Sequence, residues 1–210
     1  MLKDKTILLL PVAGVVIFVV LYLVATLYYP GGSQANHNDI GFSWTSNYWC
    51  NLLDKTAING SENSARPIAL TGMLVLVISL SIFFFAVPFA LDIPSRLKRM
   101  ISFAGIASMM SVLFLEVGSH DFILNIAGVF GFVAFGGIVS ILLKMKWYGL
   151  AVNGFINLFL VAVNNLLYYN AGWIHLLPLV QKITFLCFLI WISSICLRVY
   201  RMGANERSKH

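Results

Sequence analysis

The chain has 210 residues, of which 60% are hydrophobic and only 10% charged. Soluble domains carry about 25% charged residues, so this composition excludes an ordinary water-solvated surface and requires lipid to cover much of the protein. The net charge of +6 would suggest nucleic acid in a soluble protein. Here the basic residues cluster at the ends of apolar stretches, so they read as topology anchors and no nucleic-acid partner is expected.

A membrane span needs about 20 mostly apolar residues, and six stretches qualify, approximately 6–28, 67–91, 100–118, 122–143, 147–169 and 175–197. The expected fold is an all-α integral membrane protein, a single domain of six transmembrane helices over residues 1–210 with one long loop at 30–66. The first stretch exceeds a signal-peptide core and lacks a small-residue cleavage site, so it reads as a retained helix. Lys3 and Lys5 precede it. Arg96, Lys98 and Arg99 separate spans two and three. Lys144 and Lys146 separate spans four and five, and Arg198, Arg201, Arg207 and Lys209 follow span six. Lys and Arg concentrate in cytoplasmic segments. In an even-numbered bundle this alternation predicts a plasma (inner) membrane protein with both termini cytoplasmic.

Tyr28, Tyr29, Tyr168, Tyr169 and Trp173 mark one interface, and Trp147, Tyr148 and Tyr200 mark the other. Between spans one and two, Pro30-Gly31-Gly32 breaks the helix. The segment Phe42 to Leu53 is then aromatic and too short to span. Its bulky rings argue against disorder. They predict a lid made of Trp44, Tyr48 and Trp49, with Trp44 or Trp49 near His120, His175 or Tyr168. Asn59-Gly60-Ser61 matches a glycosylation sequon. Cys50, Cys187 and Cys196 have no metal-type spacing.

Span four carries Gly128, Gly131, Gly136 and Gly137, which read as a close-packing face and offer a route to a homo-oligomer. Span five holds Asn153, Asn157, Asn164 and Tyr168 at offsets that place them on one helical stripe. Amides facing lipid would lose their partners, so the stripe should face the interior, as interhelical glue or as one wall of a polar cavity.

On span six, Lys182 follows His175 by seven residues, about 10 Å along the helix. An intramembrane lysine is a functional hypothesis that requires a partner. Glu116 is the expected one and Asp121 the alternative. The predicted ligand-binding pocket therefore gathers Glu116, His120, Asp121, Asn125, Asn157, Asn164, Tyr168, His175 and Lys182. No cofactor is required. Two histidines and a carboxylate suit zinc, and His120, Asp121 and His175 would supply them, but neither HExxH nor HxxxH occurs. No nucleophile elbow or phosphate-binding loop is present, and no catalytic residue is assigned.

Tyr29-Pro30-Gly31-Gly32-Ser33, Asn47-Tyr48-Trp49-Cys50-Asn51-Leu52-Leu53-Asp54 and Ala65-Arg66-Pro67 with Ala69 and Gly72 together resemble the prokaryotic multi-pass DUF family nine-nine-eight. Asn51-Leu52-Leu53-Asp54 departs from that family's Ser-Asp-Leu-type segment. The resemblance covers roughly the first third of the chain and implies six helices, a histidine matching His120 and no assigned catalytic residue.

The functional expectation is an outward-facing polar pocket that binds a membrane lipid headgroup or a small amphiphile. An intramembrane metal-dependent lipid hydrolase and a structural or assembly protein are the alternatives.

Overall fold

The computed structural model describes residues 6–113 and 120–207, with no side-chain description at 120–122, 124 and 204–207. Among the described residues are six α-helices: α1 (Leu9–Leu27), α2 (Arg66–Ala90), α3 (Ser95–Val112), α4 (His120–Lys144), α5 (Tyr148–Tyr168) and α6 (Leu177–Arg207). Among the described residues there is no strand, only the isolated bridges Gly31–Ile40 and Thr56–Glu62. Five helical stretches are long and apolar enough to cross a membrane: Thr6–Leu27, Arg66–Ala90, Asn125–Lys144, Tyr148–Tyr168 and Ile174–Gly203. The chain is a helical protein of membrane type. Of the expected third span, 100–118, residues 100–113 are described; they belong to α3 and its C-terminal end, the first turns of α3 carry Arg96, Lys98 and Arg99, and the remainder of the span lies outside the described residues.

By its internal contacts the chain forms two compact units. The first comprises residues 1–16, 74–153 and 191–210. In it, α3 and α4 run antiparallel and pack closely: a side chain at Gly137 would strike Ile101, one at Gly131 would meet Ser108 Oγ at 3.1 Å, and Gly128 and Gly136 face open space. The glycines of span four therefore divide between an intrachain helix contact and a free side. Ser108 Oγ donates to the Ala127 carbonyl at 2.8 Å. Trp191, 1% exposed, donates from Nε1 to the Leu150 carbonyl at 2.8 Å and packs on Phe135 at 4.8 Å between ring centroids, joining α4, α5 and α6.

Pro88 stands inside α2. Proline has no N–H to give to the carbonyl four residues back, which is that of Phe84. Ser102 of α3 donates to that same carbonyl at 2.9 Å, replacing the missing bond from outside the helix. In an apolar surrounding, such replacement is what makes a helical proline tolerable.

The turn from α4 to α5 is made without glycine. Lys146 takes a positive φ of 56°, and Trp147 N–H reaches back to the Leu142 carbonyl at 2.8 Å, the 6→1 bond of a helix C-terminal cap.

The second unit comprises residues 17–73 and 154–190. It holds the whole α1–α2 loop with the adjoining turns of α1, α2, α5 and α6. Ser102→Ala should lower the thermal midpoint of the purified protein, because it leaves the Phe84 carbonyl buried without a donor, a loss of about 1–3 kcal/mol; an unchanged midpoint would show that the proline kink is satisfied some other way.

Candidate functional site beneath the α1–α2 loop

The loop folds on its own amide side chains. Asn47 is fully buried; its Nδ2 donates to the Gly32 carbonyl at 2.9 Å, and its Oδ1 accepts from Ser43 N–H at 2.7 Å. Asn63, also buried, donates to the carbonyls of Asn51 at 3.0 Å and Asp54 at 2.9 Å and accepts from Ala65 N–H at 3.1 Å. Asn51 accepts from Tyr48 N–H at 2.8 Å and so caps the 3-10 turn Trp49–Leu52. Gly32 takes a φ of +80°, and a Cβ there would run into the Ile58–Asn59 backbone, so this position requires glycine.

The loop is also tied to the helices it connects. Ile58 N–H donates to Tyr29 Oη at 3.0 Å. Ser64 Oγ donates to the Tyr28 carbonyl at 2.7 Å, and Arg66 Nε to the Leu53 carbonyl at 3.0 Å. Burial raises the Tyr29 phenol above its ordinary range, with the Ile58 bond acting in the opposite sense.

Under this frame sits a ring cluster. Trp49 packs against Phe18 (6.1 Å between centroids), Tyr22 (5.5 Å) and Phe185 (5.5 Å). Phe18 and Tyr22 are one turn apart on α1, and Gln181 and Phe185 are one turn apart on α6. Tyr22 Oη, Trp49 Nε1 and Gln181 Oε1 are buried with no hydrogen-bond partner among the described residues. Cys50, adjacent to Trp49, lies within electrostatic reach of Tyr22 and beside the Gln181 amide.

Lys182 is 5% exposed. Its Nζ donates to the Asn47 carbonyl and to the Pro178 carbonyl at 2.9 Å, and stands 5.5 Å from the centroid of the Phe42 ring. These acceptors are neutral carbonyls and a π face. Glu116, the expected partner, lies outside the described residues.

The other expected residues are distributed as follows. His120 and Asp121 open α4, with side chains outside the description. Asn125 is exposed on α4, His175 is exposed on the 3-10 turn Ile174–Leu176, and Tyr168 is 61% exposed. Asn157 is buried. Asn164 bonds to its own helix at Leu160 (2.8 Å) and across to Thr184 Oγ1 on α6 (2.6 Å), which is interhelical glue. Among the described residues no three His, Cys, Asp or Glu side chains converge as metal ligands.

The expected lid residues separate. Trp49 enters the core, Tyr48 is half-buried, and Trp44 is 47% exposed against Phe42. Burial pushes the Tyr48 phenol up, and its neighbour Tyr168 adds to this.

Sequence reasoning passed over Asn47, Asn63, Tyr22 and Gln181. The available signal was the density of asparagine in an aromatic loop, since asparagine favours turns by bonding nearby backbone. Comparison of the chain with known protein families, with curated proteins and with solved structures finds no match. The likeness to family nine-nine-eight thus rests on the loop motifs alone.

Asn47→Ala should loosen the whole loop. It strips partners from the Gly32 carbonyl and the Ser43 N–H, at about 1–3 kcal/mol for each buried group, and limited proteolysis between Pro30 and Arg66 should accelerate. Unaltered protease resistance would place the loop's stability elsewhere.

Proposed function

We propose that this chain is a six-span plasma-membrane protein with cytoplasmic termini, and that its α1–α2 loop covers an outward-facing polar site for a lipid headgroup or small amphiphile. The observation that carries the reading is Lys182, an ammonium buried beneath the loop. An ammonium has three donors; among the described residues the Asn47 and Pro178 carbonyls take two. The remaining donor suits an anionic oxygen, and Tyr22 Oη, Trp49 Nε1 and Gln181 Oε1, buried in the same unit without partners among the described residues, suit the polar groups of a headgroup. Phe18 and Phe185 supply the apolar contact that an amphiphile needs.

A structural reading draws on one of the same bonds. Lys182 donates to the backbone of Asn47, whose side chain holds Gly32 and Ser43, so the lysine also acts as a strap on the loop.

Two measurements test the proposal. Native mass spectrometry of the purified protein should find a bound amphiphile that Lys182→Met loses while the loop keeps its protease resistance. If Lys182→Met leaves bound lipid unchanged and loosens the loop, the structural reading replaces it. For topology, a reporter fused after His210 should be active in the cytoplasm. A periplasmic C-terminus would overturn the arrangement.

A further inference from the structure

A second site lies in the first unit and uses none of the loop residues. A cavity of about 500 Å³ is lined by Leu150 of α5 and by Ser194, Leu197, Arg198, Arg201 and Met202 of α6. That volume falls within the ordinary range of ligand sites, about 300–1,000 Å³. Its lining is sorted by chemistry: two guanidinium groups and a hydroxyl-bearing residue, then three apolar side chains, with no carboxylate among the described lining residues.

The helix geometry explains the sorting. Trp191, Ser194, Arg198 and Arg201 recur at steps of three and four along one face of α6. Trp191 closes the deep end of that face through its bond to the Leu150 carbonyl, 2.8 Å. Arg198 is held at the other end, its guanidinium 4.6 Å from the centroid of the buried Trp147 ring. A cation–π contact of this kind holds the guanidinium through its charge rather than through its N–H donors, which suit a bidentate acceptor. The cap at Lys146 sets Trp147 in place, so the α4–α5 turn helps to position the arginine. Lys144 and Lys146 add positive charge in that turn.

We propose that this cleft binds the phosphate of an anionic phospholipid, with Arg198 and Arg201 on the phosphate oxygens and Leu150, Leu197 and Met202 against the glycerol and first methylenes. Basic pockets between spanning helices are suited to anionic headgroups, and each Lys or Arg near a charged leaflet strengthens attraction measurably.

The test uses the full chain in nanodiscs of phosphatidylcholine with a minor fraction of phosphatidylglycerol, reading retained lipid by native mass spectrometry. Phosphatidylglycerol should be enriched over phosphatidylcholine, and Arg198→Gln with Arg201→Gln should reduce that enrichment roughly tenfold or more. Lys98→Gln with Arg99→Gln removes the same charge from α3 and serves as the comparison. An equal loss in that variant would show diffuse attraction and overturn the site. Leu150→Trp, which fills the cavity and keeps both arginines, should also expel the lipid; retention there would overturn the cleft as the seat of binding. Inorganic phosphate at millimolar concentration should not displace phosphatidylglycerol. If it does so fully, the site takes free phosphate and the lipid assignment fails. A monodisperse elution profile for each variant secures that loss of lipid is not loss of fold.

Discussion

Lipid offers no hydrogen bonds, so every backbone donor and acceptor in a spanning segment must be satisfied within the protein. In α1 the helix itself does this, and its side chains are apolar nearly all round. Where the helix fails, a side chain from another element intervenes. Pro88 leaves the Phe84 carbonyl without its usual donor, and Ser102 supplies one. Ser108 adds a bond to the Ala127 carbonyl across the α3–α4 contact, and glycine on α4 is what lets the two helices come that close.

The same constraint shapes the α1–α2 loop. A loop of this length has no ladder, and burying its peptide groups is costly unless each is paired. Asn47, Asn51 and Asn63 provide those pairs, each amide serving as donor and acceptor at once. Once the loop backbone is satisfied, Trp49 can be buried among Phe18, Tyr22 and Phe185, and the Asn47 carbonyl is presented to Lys182. The buried ammonium thus meets the folded loop through a single backbone carbonyl. Removing a charge from water costs several kcal/mol before any compensation, and here two carbonyls and the Phe42 ring provide part of it.

Arginine in the first unit meets a different environment. Arg198 and Arg201 remain at the surface of the chain, and Trp147 holds the former by a cation–π contact. Such a contact leaves the guanidinium's donors for a ligand, whereas Lys182 gives two of its three donors to carbonyls of the described residues. The two basic sites are accordingly suited to different tasks: one can hold a phosphate at a helix end, while the other operates only together with the loop above it.

The residue order alone determined the helical class, the apolar stretches and their approximate limits, since lipid burial demands long uninterrupted apolar runs and these are visible without coordinates. The break at Pro30-Gly31-Gly32 and the orderliness of the aromatic loop were legible for the same reason: proline, glycine and large rings act locally. The stripe of Asn157 and Asn164 was readable from helical spacing, although only the neighbouring helix decided that Asn164 bonds to Thr184. What the linear order left open was every pairing across distance. Lys182 and Asn47 lie 135 residues apart, and a carbonyl carries no sequence signal, so the bond between them could not be read from side-chain types. Trp44 and Trp49 are equivalent in sequence, yet the 3-10 turn Trp49–Leu52 turns one inward and leaves the other at the surface. Tertiary structure decided these points because they depend on which backbone groups remain unpaired after the helices have formed.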